Sequence, residues 1–182
     1  MIITDPWVTP GTFDKSWFQY PRNEFMKEYI ESRLREIRKD IYIYISHEHL
    51  DHFDETFLNG LNERKFNIII PKYNRKFLED WFKIYKCEKV YCLQDNEELI
   101  LNYPTIYNKQ VKITLFVEDC EMNRDSGLLI SIDGKNIYNG NDCKYHDISK
   151  IKKYGNVDVL CQQYSGATWH PICYDYHKDD YD

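Results

Sequence analysis

Apolar positions in the first half of the chain follow two different spacings. Ile41 to Ile45 is a run of β-branched and aromatic residues, which is typical of a short buried strand. Over 23–40, apolar side chains recur about once per helical turn with charges between them, which predicts an amphipathic helix capped by Asn23. The same criteria predict strands over 1–4, Phe66 to Ile70 and Lys89 to Leu93, and helices from Asp54 to Leu61 and Lys76 to Tyr85.

The second half of the chain is predicted to be rich in strands. Val111 to Val117 alternates apolar and polar residues, which predicts a strand with one buried face. Asp133-Gly134 is a strong signal for a two-residue hairpin turn. Strands are predicted from Glu97 to Leu101, Gly127 to Ile132, Asn136 to Tyr138 and, as a last core strand, Val157 to Cys161. This mixed order predicts a layered α/β protein with sheets inside and helices outside, and we expect one domain over residues 1–182.

Composition and charge narrow the classes of function. The 182 residues carry a net charge of -6 and no long basic run, which argues against a nucleic-acid partner. The longest apolar run falls far short of a membrane span, and the N-terminus lacks the pattern of a signal peptide. Because the 6 cysteines form no dense framework and no signal peptide is seen, we expect reduced thiols and a cytoplasmic location. None of the cysteines forms a C-x-x-C pair. The sequence indicates no oligomeric state.

One short segment carries an unusual density of metal-ligand residues. His47-Glu48-His49-Leu50-Asp51-His52 follows a predicted buried strand directly. Because residues i and i+2 of an extended segment point the same way, His47 and His49 can converge on one ion. A turn then presents Asp51 and His52 beside them. Two nitrogen ligands next to an open coordination position is how a catalytic metal is held, so the segment predicts a metal site used for chemistry.

Two other interpretations of this segment compete with a catalytic metal site. It could be a surface loop that is rich in histidine by chance, although its place at a strand end favours a functional site. It could also bind a metal only for structure, but a closed structural zinc site usually recruits cysteine, and this segment has none.

The pattern H-x-H-x-D-H after a buried strand resembles the signature of the metallo-β-lactamase fold superfamily. Asp5-Pro6-Trp7 is similar to an early segment of that superfamily, whose Asp supports the metal-binding histidines. Asn141-Asp142-Cys143 is similar to its motif for an Asp that bridges two metals. The resemblance implies an αββα sandwich, either minimal or truncated at the C-terminus. It also implies one or two divalent metal ions, zinc first, with iron or manganese as alternatives.

The sequence departs from that superfamily at two ligand positions. No histidine follows Val111 to Val117, and Glu118 or Asp119 would have to take its place; we choose Asp119. Carboxylates favour harder ions, so a carboxylate ligand here favours iron or manganese more than an all-histidine zinc site would. The alternative is that these are loop charges and one metal position is weak or empty. The last ligand implied by the resemblance would be His170, which could equally be a loop histidine.

Within the superfamily, the stretch from Leu160 to Asp175 is similar to the CMP-N-acetylneuraminate hydroxylase-like branch. Those hydroxylases carry a Rieske cluster in a separate segment. Here Cys143 and His146 form a C-x-x-H, but the C-x-H that should accompany it is missing. An iron–sulfur site is therefore not expected in this chain.

Three functions follow from this interpretation. The first is a metal-dependent hydrolase whose metal-bound hydroxide attacks an ester, amide or phosphodiester of a small-molecule substrate, with Asp51 orienting the hydroxide as a catalytic residue. The second is an iron-dependent oxygenase acting on a sugar nucleotide or a related small molecule. The third is a degenerate, non-catalytic interaction domain. The predicted metal ligands are His47, His49, Asp51, His52, Asp119, Asp142 and His170.

Overall fold

Two β-sheets form the framework of the protein. The computed structural model describes residues 1–13, 15–20, 25–37, 40–61, 65–102, 110–120, 124–143 and 148–162. The first sheet is parallel, with order β1-β2-β3-β4: β1 Ile2–Thr4, β2 Tyr42–Tyr44, β3 Asn67–Pro71 and β4 Lys89–Leu93. The second has order β5-β6-β7-β8-β9: β5 Glu98–Asn102, β6 Gln110–Asp119, β7 Arg124–Ile132, β8 Lys135–Asn139 and β9 Val159–Cys161.

In the second sheet the pairs β5–β6, β6–β7 and β7–β8 are antiparallel, and only β8 and β9 pair in parallel. β7 and β8 are joined by the predicted hairpin turn. Asp133 and Gly134 have φ of 52° and 73°, the left-handed values that a two-residue turn requires at both central positions. Four helices accompany the sheets in the described residues: α1 Met26–Glu36, α2 Glu55–Gly60, α3 Phe77–Ile84 and α4 Ile148–Lys152.

The first sheet buries both of its faces. Side chains alternate across a strand, so neighbouring residues of β2 enter different cores. Ile43 joins the core formed with the three helices α1, α2 and α3, whereas Tyr44 joins the core between the two sheets. Near-continuous apolar runs such as β3 are typical of parallel strands covered on both sides.

The outer face of the second sheet has its own small core. Phe116, Leu129 and Tyr138 pack there against Ile151 of α4 and against Tyr154. The described residues thus form a mixed α/β structure with four layers. These are the helices α1 to α3, the first sheet, the second sheet and the helix α4. That this is a sandwich of the metallo-β-lactamase type, and that residues 1–182 are one domain, stay predictions.

Some predicted elements differ from the structure. The predicted last core strand is shorter, and Val159, Leu160 and Cys161 of β9 are all exposed because β9 lies at the edge of its sheet. α4 was not predicted, since five residues are too few to show a helical period. Asn23, the predicted cap, lies outside the described residues. No helix in the described ranges is long and apolar enough to cross the membrane.

Asp54 is the N-cap of α2 and connects that helix to the first loop. One carboxylate oxygen accepts a hydrogen bond from Phe57 N at 2.9 Å. The other accepts from Val8 N at 3.0 Å, and from Thr9 N and Thr9 Oγ1, both at 2.8 Å. One buried side chain therefore satisfies four donors.

Replacing Asp54 with Ala is expected to lower the free energy of unfolding by about 2–3 kcal/mol, because it removes a cap and leaves buried N–H groups unpaired. Urea denaturation of the variant measures this. Asp54→Asn, which keeps one acceptor oxygen, should cost less. Equal losses for the two variants would contradict the assigned role of the carboxylate.

Candidate metal centre at the carboxyl ends of the first sheet

The predicted segment 47–52 lies where β1 and β2 end side by side. These strands are parallel, so the residues that follow them meet at one edge of the sheet, where α/β proteins commonly build their sites. Asp5 follows β1, and its carboxylate accepts hydrogen bonds from both Ser46 N and Ser46 Oγ at 2.7 Å. Tyr73 donates its hydroxyl proton to Ser46 O at 2.6 Å. The backbone that carries the first histidine is therefore fixed from two sides.

His47 is buried and held at both ring nitrogens. Its Nδ1 lies 3.1 Å from Asp125 Oδ1 on β7 and 2.9 Å from Ser46 Oγ. Its Nε2 lies 2.8 Å from His49 Nδ1. Asp125 was not predicted as a site residue, because the predicted strand began only at Gly127. The signal that could have found it is an acidic residue inside an otherwise buried strand, since β7 places Asp125 with only 1% of its side chain exposed.

His52 is brought back to His47 by a tight turn, in which His52 N and Phe53 N both donate to His49 O. The ring centroids of His47 and His52 are 4.3 Å apart. His52 Nδ1 lies 3.0 Å from Asp5 Oδ2, so Asp5 supports a histidine as the resemblance implied. His52 Nε2 faces two carboxylates, Asp142 at 3.3 Å and Asp51 at 3.7 Å.

Asp142 reaches the histidines from the second sheet. It follows β8 through a turn in which Asn141 has φ of 49° and donates its side-chain amide to Ser126 O at 2.8 Å. Gly140 starts this turn, and a larger residue there would require the end of the Gln162 side chain to move.

Two groups of possible ligand atoms result, and both contain Asp142. One is His47, His49 and Asp142, and the other is Asp51, His52 and Asp142; within each group the ligand atoms lie within 4.8 Å of one another. Five predicted ligands are thus brought together, and we call them the histidine–aspartate site. Sharing of Asp142 is the geometry that the predicted bridging role requires.

The electrostatics of this site indicate a surplus of negative charge. Burial lowers the pKa of His52, but its hydrogen bonds with Asp142 and Asp5 outweigh that effect and raise the pKa to about 10. The hydrogen bond with His52 in turn lowers the pKa of Asp142. Within the described part of the chain, Asp125 Oδ2 is buried and has no hydrogen-bond partner. Buried carboxylates need a compensating charge, which a bound cation would supply.

Two predicted ligands are not part of the site as described. The carboxylate of Asp119 accepts a hydrogen bond from Asn74 N at 2.5 Å and belongs to neither group of ligand atoms. Glu118, the alternative, lies opposite Asp125 in the register of β6 and β7. His170 lies outside the described residues. The ligand roles of Asp119 and His170 stay predictions.

Comparison with known proteins finds three relatives that share the same kind of name. No family model matches the chain. A protein of Mycolicibacterium smegmatis is 29% identical over 175 residues, which are 96% of this chain and 32% of the relative. Proteins of two Mycobacterium tuberculosis strains are 27% identical over the same length. All three are provisionally named Rieske 2Fe-2S iron–sulfur proteins. The chain spans about a third of the length of these relatives.

These names correct several expectations. They specify iron–sulfur proteins, so the assignment to the metallo-β-lactamase superfamily and the hydrolase activity are wrong. No observation tests the catalytic role of Asp51, which stays a prediction. The expected cofactors, one or two divalent ions with zinc first and iron or manganese as alternatives, are wrong as well, because the names specify a 2Fe-2S cluster. Zinc has no redox chemistry and cannot carry electrons. Metal binding and iron agree with the relatives' names, and the oxygenase alternative comes closer than the hydrolase.

The described residues do not fit the cluster that the relatives' names specify. A Rieske 2Fe-2S centre takes two cysteines and two histidines. The sequence has the C-x-x-H of Cys143 and His146 but no C-x-H. Neither group of ligand atoms found among the described residues contains a cysteine, and burial raises the pKa of the Cys143 thiol. Imidazole and carboxylate donors instead suit an iron ion bound through nitrogen and oxygen.

Proposed function

We propose that this chain is an electron-transfer component of a Rieske-type iron–sulfur system, and that its histidine–aspartate site holds iron. The observation that carries this proposal is the convergence of three imidazoles and two carboxylates at one sheet edge. The names of the relatives support iron and electron transfer as the chemistry. These residues would hold an iron ion, which would supply one-electron redox chemistry there.

The residues around the site would hold the ligands in fixed orientations. Asp125 and Asp5 each engage an Nδ1 atom, of His47 and His52 respectively, so that each Nε2 faces the other ligands. A carboxylate that engages the far nitrogen of a histidine ligand orients the ring and raises its basicity. Ligands mounted on strand ends and a tight turn are more precisely placed than ligands on a free loop.

The iron–sulfur cluster of the relatives is proposed to belong to a part of those proteins outside the matched third. This follows from the ligand chemistry, because the described part of this chain offers nitrogen and oxygen donors where the cluster needs two thiolates. A small molecule remains the proposed substrate of the whole system. A cytoplasmic location is proposed because four cysteines of the described ranges (Cys87, Cys92, Cys143 and Cys161) are free thiols.

The proposal is tested on the chain purified and loaded with iron without oxygen. Iron and acid-labile sulfide are measured first, and the oxidation state is then followed by electron paramagnetic resonance through one cycle of reduction and reoxidation. We expect bound iron without sulfide, and a reversible change of oxidation state. Failure to bind iron, or bound iron that does not change its oxidation state, would overturn the proposal.

A further inference from the structure

We infer that Asp125 is a positioning residue that fixes the His47 ring in the tautomer with its proton on Nδ1, and so keeps Nε2 open for a metal. This inference rests on the proposed function only for the identity of the metal. The tautomer of the His47 ring does not depend on that function. Asp125 lies on β7 of the second sheet and His47 follows β2 of the first, so the pair connects the two sheets directly at the site.

The hydrogen bonds around Ser46 decide which nitrogen of His47 carries the proton. The Ser46 hydroxyl donates its only proton to Asp5 Oδ2 at 2.7 Å, so toward His47 Nδ1 it can only accept. The other neighbour of Nδ1 is a carboxylate oxygen of Asp125, which is also an acceptor. With two acceptors at 2.9 and 3.1 Å, Nδ1 must be the donor, and a neutral ring then has its lone pair on Nε2.

Asp125 itself has little freedom to move away. Its Oδ1 also accepts a hydrogen bond from Ser126 N at 2.7 Å, which fixes the carboxylate on its own strand. The side chains of His47 and Asp125 are only 2% and 1% exposed, so water cannot replace either partner. Nδ1 makes its hydrogen bond with Ser46 Oγ, and the nearby Asp125 carboxylate is the only charged group of the two, so it adds an electrostatic attraction for a proton on Nδ1.

The open Nε2 faces the rest of the site. It accepts a hydrogen bond from His49 Nδ1, 2.8 Å away. A cation that takes this lone pair must first break that hydrogen bond. If the ring carried its proton on Nε2 instead, His47 could not act as a ligand without first changing tautomer.

The test compares the metal-free full chain with two variants of Asp125. Nitrogen-15 NMR of the imidazoles reports which ring nitrogen is protonated, and iron affinity is measured separately. We expect Nδ1–H at His47 in the natural protein and a mixture of tautomers in Asp125→Ala, with iron affinity reduced about 10–100-fold. Asp125→Asn keeps an acceptor oxygen, so it should retain the tautomer and lose less affinity. Asp80→Asn removes an exposed carboxylate that is paired with Lys83 and serves as the control.

The outcomes separate this inference from the proposed function. An Nε2–H tautomer of His47 in the natural protein overturns the inference even if Asp125→Ala fails to fold. A folded Asp125→Ala with unchanged tautomer and affinity overturns it as well. If the natural protein binds no iron but the tautomer still depends on Asp125, the proposed function fails and the positioning role stands.

Discussion

Replacing Asp142 with Ala is expected to lower iron affinity by about 100-fold or more. Asp142 is the ligand shared by both groups of donor atoms, so this single change removes a carboxylate from each of them. Loss of an outer partner of a metal ligand already costs about 10–100-fold, and loss of a shared ligand should cost more. His49→Ala, which affects only one group, should have a smaller effect.

Glu48→Gln is the matched control for this prediction. Glu48 lies inside the same segment, but its carboxylate faces Arg124 at 3.6 Å and Arg75 at 3.9 Å and belongs to neither group of donor atoms. Equilibrium dialysis of iron under anaerobic conditions measures all three variants. If Asp142→Ala binds iron as tightly as Glu48→Gln does, Asp142 is not a ligand.

Replacing Phe53 with Ala is expected to lower the free energy of unfolding by about 3–5 kcal/mol, because it empties the volume of a fully buried aromatic ring. Phe53 packs edge-on against Phe77, Trp81 and Phe82, with ring centroids 4.9 to 6.1 Å away. It follows His52 directly, and its backbone N–H closes the turn onto His49 O at 2.7 Å. Loss of this anchor should therefore also weaken iron binding.

Urea denaturation of the metal-free protein isolates the effect of Phe53 on stability from that on binding. Phe53→Leu keeps most of the apolar volume and should cost less than about 1.5 kcal/mol. If the Ala and Leu variants are equally stable, the turn after the histidines does not depend on this aromatic core.

Most helices and strands could be predicted from the spacing of apolar residues. Which core each buried side chain points into could not be predicted in this way. Every residue from Ile41 to Ile45 is apolar, so the sequence does not say that Ile43 faces the helices and Tyr44 the second sheet. The exposure of Leu160 was mispredicted for a related reason. An apolar run predicts a strand, whereas its burial depends on whether other strands lie on both sides of it.

The site could be predicted where its residues are close in sequence. His47, His49, Asp51 and His52 were found because one strand end and one turn bring them together. Asp142 was found through a resemblance. Asp125 was not found, because its contact with His47 depends on how one sheet packs on the other, and no local pattern encodes that packing.

The chemistry of the site was the part that sequence patterns predicted wrongly. Imidazole and carboxylate ligands are compatible with zinc, manganese and iron, so the motif predicts where a metal would bind and leaves its reaction open. The hydrolase reaction was predicted from the resemblance to a superfamily and not from the ligand residues themselves. The names of the relatives contradict it. Function belongs to the occupied site and its partners, and a ligand pattern alone does not determine it.

We expect iron in this chain to be bound by imidazole and carboxylate groups of the histidine–aspartate site. X-ray absorption at the iron edge, on the anaerobically loaded protein, tests it directly. We expect a first coordination shell of nitrogen and oxygen only, with the outer scattering of imidazole rings, and loss of this signal in Asp142→Ala. Sulfur ligands with a second iron nearby would instead show an iron–sulfur cluster, and the histidine–aspartate site would then not be the iron site.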